Sequence, residues 1–574
     1  MPDVAAERLH SGTVAARNDG GALIARTLRE RGVSTVFALP GGHILPFLDA
    51  SLDEDIRIID TRHEGAAVLA AEGWALATGH TGVAAVTAGP GFANGLIGLL
   101  DAGVWSVPLV MLAGRTSRNR QGRGAVGDID QRAIATPIAK WAATCSEAGA
   151  IPRYVAEALH RARSGCPGAV YLEIDSHAVY GKAAPLDTAP PGFPLETSRP
   201  AGSPADIGAA VAALTAAERP LIVVGSGAFW SDAGEEIARF AEAAHIPVIT
   251  ASAARGVVAD SHAWSLGSLV HGGLAIPSAD CVLILGSAFN ANVMYGGPPL
   301  FGTDQTIIQV DIAAERAGGN RAPDITVVGD CKSVVKDLAD AWGSTPKESD
   351  EWLERARTLA SASLGFWNRQ VDEHTGESIH AGAAAREVAA FVQERFGGAA
   401  TFVADGGDAL AWGLAYFGAE LPGRLLTTTT ALGTLGVGMP FAIAAQAARR
   451  DEPTFLFTGD GAFGLTAMEV ATAVRHELPI VVIVSNNAGW GDVRYEQDEL
   501  FGPDRHVAST LPGVRYDRLG AALGAHGERV ERLEELRPAL ERSLASGICS
   551  VIDVQTDPAV ISELLRMVAQ LGLM

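Results

Sequence analysis

The feature that most constrains this chain is an alternation. Short runs of branched apolar residues end in glycine-rich turns, and each is followed by a helix-compatible stretch. "VSTVFALPGG", "GVAAVTAGPG", "VPLVMLAGR" and "GAVYLEID" do so in the first third; "RPLIVVGSG", "IPVITASA", "CVLILGSA" and "TIIQVDI" in the middle; "ATFVADGG", "TFLFTGDG", "IVVIVSNN" and "CSVIDVQT" in the last. Continuous apolar runs of this length are strands buried on both faces. Strands alternating with helices give βαβ units and parallel sheets. The expected fold class is therefore α/β, with three doubly wound parallel-sheet domains. A proline-rich stretch, "APLDTAPPGFPLETSRPAGSP" at 184–204, and a charged segment at 344–380 interrupt the rhythm. They divide the chain into domains at 15–185, 205–343 and 380–557, with a tail at 558–574. The first and third domains are candidates for distant copies of one fold.

The 574 residues are too many for one core, which agrees with three. Lys and Arg number 44 against 66 Asp and Glu, a net charge of −22, so nucleic acid and anionic membranes are not expected partners. No apolar run is long enough to span a bilayer. Cys145, Cys166, Cys281, Cys331 and Cys549 are scattered without a CxxC pair, which suits neither a zinc site nor a disulfide scaffold and fits a reducing, cytoplasmic setting. The N-terminal stretch has no apolar h-region and reads as a short tail rather than a signal peptide.

Ligands of open parallel sheets collect beyond the carboxyl ends of the strands. In "GDGAFGLTAMEVATAVRHELPIVVIVSNN", residues 459–487, one strand delivers Asp460 to that edge, a helical stretch returns the chain, and the next strand delivers Asn487 beside it. A carboxylate and an amide oxygen are hard donors suited to Mg²⁺, which binds few protein ligands and bridges phosphates. Gly459 and Gly461 would let backbone approach those phosphates at a helix start. Either turn alone is ordinary; GDG and NN flanking residues 462–485 form a more specific signal. A second candidate is Glu64 in "RHEGAAVLAAEGWALATG", a carboxyl at a helix start set among small apolar residues.

The GDG–NN spacing resembles the metal–diphosphate motif of thiamine-diphosphate enzymes. "RHEGAAVLAAEGWALATG" with "VTAGPGFANGLIGLLDA", and "ALGTLGVGMPFAIAA" with "AGWGDVRYEQDELFGPDRH", resemble the pyrimidine- and diphosphate-binding domains of benzaldehyde lyase, acetolactate synthase and oxalyl-CoA decarboxylase relatives. The likeness extends over residues 20–557. It implies thiamine diphosphate and Mg²⁺ as cofactors, with Asp460, Asn487 and the Gly489 carbonyl on the cation. Gly407, Asp408, Gly461 and Ala462 would lie at the diphosphate. Gly433 would offer its carbonyl to the coenzyme's 4′-amino group, and Leu435 would be the apolar wedge that bends the coenzyme. Glu64 would share a proton with the aminopyrimidine ring. In this family the two binding domains meet from different subunits, so a homodimer or homotetramer with the site at the subunit interface is implied.

The resemblance also implies a lyase or carboligase acting on 2-hydroxy ketones or 2-keto acids. His43, in "PGGHILPFLDA", matches an active-site histidine of benzaldehyde lyase and is the expected proton carrier on the substrate side. Val126 stands where that lyase has a glutamine. Glu496, in "RYEQ", replaces a tryptophan of acetolactate synthases and is a candidate second proton carrier. Arg118 and Arg120, in the basic loop "GRTSRNRQGRG", are candidates for phosphate of a CoA thioester. "GSAFNANVMYG" departs from the segment of flavin-binding acetolactate synthases, so FAD is not expected. A 2-hydroxyacyl-CoA lyase, an acetolactate synthase-type carboligase and an inactive regulatory subunit are the alternatives, and the tail "DPAVISELLRMVAQLGLM" is expected to act as a lid.

Overall fold

The computed structural model describes residues 18–183, 192–195, 198–343, 350–427, 432–511 and 513–570. It contains three six-stranded sheets, in which the named strands all pair in parallel. The first comprises β1 (Thr35–Ala38), β2 (Arg57–Asp60), β3 (Gly82–Val86), β4 (Leu109–Arg115), β5 (Trp141–Cys145) and β6 (Ala169–Asp175), in the order β2-β1-β3-β4-β6-β5. The second comprises β7 (Pro220–Val224), β8 (Val248–Thr250), β9 (Ser265–Ser268), β10 (Cys281–Leu285), β11 (Thr306–Asp311) and β12 (Ile325–Val328), ordered β12-β11-β10-β7-β8-β9. The third comprises β13 (Thr401–Asp405), β14 (Leu425–Thr427), β15 (Thr454–Gly459), β16 (Val481–Asn486), β17 (His526–Val530) and β18 (Ser550–Gln555), ordered β14-β13-β15-β16-β18-β17. The first and third sheets thus share one topology and the middle sheet has another.

Helices on both faces supply the buried apolar layers. Two of them join the first and third domains. The Glu64–Thr78 helix starts at an N-cap, His63, whose ring accepts from Gly65 N at 3.0 Å, and ends at Gly79, a left-handed C-cap at φ 73°. It packs on the Gly438–Ala448 helix. Both are rich in buried alanine, which lets their backbones approach closely; a Cβ on Gly73 would stand 2.8 Å from Phe441 Cα. A large side chain at position 73 would force the two domains apart.

The segment between Asp460 and β16 differs from the single helix expected. It is two short helices, Asp460–Thr466 and Val470–Arg475, joined by a 3₁₀ turn at Ala467–Glu469. Thr466 leaves helical geometry at φ −130° and turns its hydroxyl to the Gly436 carbonyl, so the first helix stops against the loop of the neighbouring domain element. The charged segment contains a helix, Asp350–Asp372. The expected tail includes a helix, Glu563–Gln570, while its last residues, 571–574, lie outside the described residues, as do 184–191 of the expected linker. Among the described residues no helix is long and apolar enough to cross a membrane.

Candidate functional site

β15 and β16 are adjacent, with Gly459 opposite Ser485, so Asp460 and Asn487 leave the sheet side by side. Asp460 is 1% exposed, and its carboxylate accepts from Gly489 N at 2.9 Å. Tyr516 OH donates to its carbonyl. Burial pushes the Asp460 carboxyl up to about 7, against the pull of the Gly489, Asp460 and Gly461 amides. The two asparagines have different work. Asn486 donates to Asp553 and accepts from Ala488 N, which fixes the turn. Asn487 keeps a buried Oδ1 with no hydrogen-bond donor. A buried carboxylate and an orphaned amide oxygen at the ends of adjacent strands fit a divalent cation. Among the described residues no group of three or more His, Cys, Asp or Glu side chains could hold a metal, so such a cation would rely on Asp, Asn and a backbone carbonyl.

Gly461 lies under Trp490, whose ring a Cβ would meet at 2.6 Å, and Ala462 is buried beside it. Gly407 is the N-cap of the Asp408–Tyr416 helix. The Asp408 carboxyl accepts from Trp412 Nε1 and, from far along the chain, Ser562 N. Gly433 and Gly436, at φ 69° and 81°, turn the chain around Thr434 and Leu435, and Leu435 is half-buried. Asp405 fixes the far side of this loop by accepting from Gly436 N and Gly438 N.

In the first domain Glu64 is 7% exposed at its helix start and accepts from Asn94 Nδ2 at 2.9 Å. His43, on the loop after β1, is half-buried, and its Nδ1 pairs with Thr87 Oγ1 at 3.0 Å. Burial lowers the His43 pKa and favours the neutral ring. Thr87 also borders Gly41, where a Cβ would meet it at 2.3 Å, and Gly91, where a Cβ would stand 2.8 Å from Thr87 and 3.2 Å from Glu64 Oε1. The structure thereby gathers His43 and Glu64 around one neighbour. Sequence reasoning missed Thr87 and Asn94, although both lie in the quoted stretch "VTAGPGFANG".

Val126 is 84% exposed on a loop pinned by Thr116 Oγ1 to its carbonyl. The following Gly127 touches Gly89 at the start of the Pro90–Trp105 helix. The arginine loop is not a uniform cationic patch. Arg115 turns inward to the buried Glu173, and Arg118 pairs with Glu147 at 2.8 Å, while Arg120 is exposed. Glu496 lies near Asp492, whose carboxyl burial and then Glu496 and Asp408 push up to about 6. The root of the tail touches this region through Arg494 Nη2 to Pro558 O and Arg566 over the Tyr495 ring.

A cavity of about 150 Å³ lies elsewhere, between the first and middle domains. The lone GxG turn at Gly225–Gly227, Gly286 and Asp311 line it, at the point where the order of the middle sheet reverses.

Family models match all three domains. Residues 18–134 match the thiamine pyrophosphate enzyme N-terminal TPP binding domain, 207–338 the central domain and 405–554 the C-terminal TPP binding domain. The chain is 35% identical over 544 residues to a probable acetolactate synthase of Mycobacterium bovis, covering 94% of this chain and 96% of that one. It is 32% identical over 565 residues to a 2-hydroxyacyl-CoA lyase of Oryza sativa, covering 96% and 97%. It is 30% identical over 552 residues to a probable acetolactate synthase large subunit of Methanocaldococcus jannaschii, covering 94% and 92%.

Proposed function

Because the chain belongs to the thiamine pyrophosphate enzyme family, we propose that it is a magnesium-dependent lyase or carboligase that breaks or forms the carbon–carbon bond of 2-hydroxy ketones or 2-keto acids. Asp460, Asn487 and the Gly489 carbonyl would hold the cation, and the backbone from Gly459 to Ala462 and at Gly407–Asp408 would receive the diphosphate. Leu435 and the Gly433 carbonyl would hold the ring end. The coenzyme would supply the electron sink that lets the substrate's carbonyl carbon itself carry negative charge. Glu64 would hold a proton at the ring nitrogen N1′, oriented by Asn94. His43 would exchange a proton with the substrate hydroxyl through Nε2, the atom left over once Nδ1 is paired with Thr87. Homodimers or homotetramers would pair Glu64 of one chain with Asp460 of another.

The observation that carries the substrate class is the gathering of His43 and Glu64 around Thr87. A largely neutral imidazole bonded to Thr87, with the Glu64 carboxyl across Gly91 from the same threonine, suits the hydroxyl of a 2-hydroxy ketone. A second reading, a 2-hydroxyacyl-CoA lyase, is favoured by the Oryza relative and by Arg120 and Arg123, exposed and without an acidic partner among the described residues. An acetolactate synthase-type reaction is favoured by the Mycobacterium relative. The deciding experiment incubates the protein with thiamine diphosphate and Mg²⁺ and, in turn, benzoin, pyruvate, other 2-keto acids and a 2-hydroxyacyl-CoA. Mass spectrometry then identifies the product. Benzaldehyde from benzoin supports the first reading; formyl-CoA or acetolactate in its absence overturns it in favour of the second or third. No product from any of them leaves the inactive regulatory subunit.

A further inference from the structure

Behind the loop that carries Leu435 lies a pair of carboxyl groups that none of the roles above uses. Glu72, in the Glu64–Thr78 helix, and Asp101, in the Pro90–Trp105 helix, are both 0% exposed. Neither has a salt-bridge partner among the described residues. Both Glu72 oxygens and Asp101 Oδ2 are buried without a donor, while Asp101 Oδ1 accepts from Thr434 Oγ1 at 2.8 Å. Two ionised carboxylates are acceptors only and cannot satisfy one another; one proton turns the neutral member into a donor. Burial and the neighbouring Asp101 push the Glu72 carboxyl far above its usual range, and burial pushes Asp101 up to about 6. One proton shared by the pair removes the clash of two acceptors and leaves Asp101 Oδ1 to accept from the Thr434 hydroxyl.

A buried pair of this kind is costly compared with apolar residues of the same size. Its position is informative. Thr434 stands between Gly433 and Leu435, the two residues assigned to the ring end of the coenzyme, and Asp405 holds the same loop from its other side through Gly436 and Gly438. Both flanking glycines have left-handed backbones, and among the described residues Leu435 belongs to no helix or strand.

We propose that Glu72 and Asp101 are positioning residues that act through the Thr434 hydroxyl to hold Gly433 and Leu435 in the geometry that receives the coenzyme ring. This rests on the coenzyme reading above. A directional bond to a charged acceptor fixes the loop's height and rotation, which apolar contacts alone leave free.

The test compares Thr434→Val, Thr434→Ser and Asp101→Asn in the full chain. Affinity for thiamine diphosphate in the presence of Mg²⁺ is measured by calorimetry, and stability without coenzyme by urea unfolding. Thr434→Val should bind thiamine diphosphate roughly 10- to 100-fold more weakly, the loss expected for a bond to a charged group. Thr434→Ser, which keeps the hydroxyl, should stay within about threefold of the parent. Near-UV circular dichroism of the bound coenzyme should change in Thr434→Val and recover in Thr434→Ser. A purely structural pair would lower stability in urea and leave the affinity of the folded protein unchanged, which would overturn the proposal. Asp101→Asn is the second line of evidence; if it does not fold, Thr434→Val decides. A parent protein that fails to bind thiamine diphosphate overturns the coenzyme reading instead, so the two failures are distinguishable.

Discussion

Replacing Asp460 with asparagine should make the protein more stable when cation and coenzyme are absent. Burial raises the Asp460 carboxyl from 3.8 to about 7. A group raised in the folded state contributes its full stability below its unfolded value, and that contribution is lost as the pH climbs through the folded value. The parent is therefore penalised progressively between pH 3.8 and about 7. A three-unit shift corresponds to about 4 kcal/mol once the carboxylate is fully charged, at pH 8. At pH 5 the folded group holds its proton, and the penalty falls to about 1.6 kcal/mol. Asparagine keeps the acceptor for Gly489 N but adds an amide that needs its own partner, so the net gain at pH 8 should be about 2–4 kcal/mol. Urea unfolding of both proteins in chelator at pH 5 and pH 8 measures it. The advantage of Asp460→Asn should shrink by about 2–3 kcal/mol toward pH 5. Mg²⁺ with thiamine diphosphate should stabilise the parent and leave the variant unchanged. A variant less stable than the parent at pH 8 in chelator, or a gap independent of pH, would refute the argument that this carboxylate is held charged for a cation.

Glu64→Gln should lower turnover by about 100-fold or more while coenzyme binding, read by calorimetry, partly survives, since the change removes an acid and not the cation anchors. Gly461→Ala places a methyl 2.6 Å from the Trp490 ring and should cost about 1–3 kcal/mol in urea, together with weaker coenzyme binding. Deleting residues 560–574 removes the Ser562 amide from Asp408; turnover should fall while the urea midpoint changes little, and unchanged turnover rejects the tail as a lid.

The twelve apolar runs read from the sequence are the four inner strands of each sheet, and the six strands it did not yield are the edges: β2, β5, β9, β12, β14 and β17. The reason is solvent. An inner strand such as β16 is buried at every residue, so it is written in Val and Ile; β17, "HGERV", is mostly half-exposed and reads like a loop. The juxtaposition of Asp460 and Asn487 was legible for a related reason: they follow adjacent strands of one crossover, so spacing alone brings them together. Contacts between distant elements left no such trace. Nothing near Asp408 announces Ser562, nothing near Arg118 announces Glu147, and Glu72 and Asp101 look like ordinary helix-surface acids until Thr434 is packed against them.

The central claim is that one coenzyme is anchored by Asp460 of one chain and activated by Glu64 of another. Mixing the two inactive variants measures it most directly. Glu64→Gln and Asp460→Asn subunits, dissociated and reassociated in equal amounts, should form mixed dimers in half of the assemblies, each with one site free of both changes. Activity should return to about a quarter of the parent's. Mixed dimers that form, by mass spectrometry of the intact assembly, yet stay inactive would contradict the account.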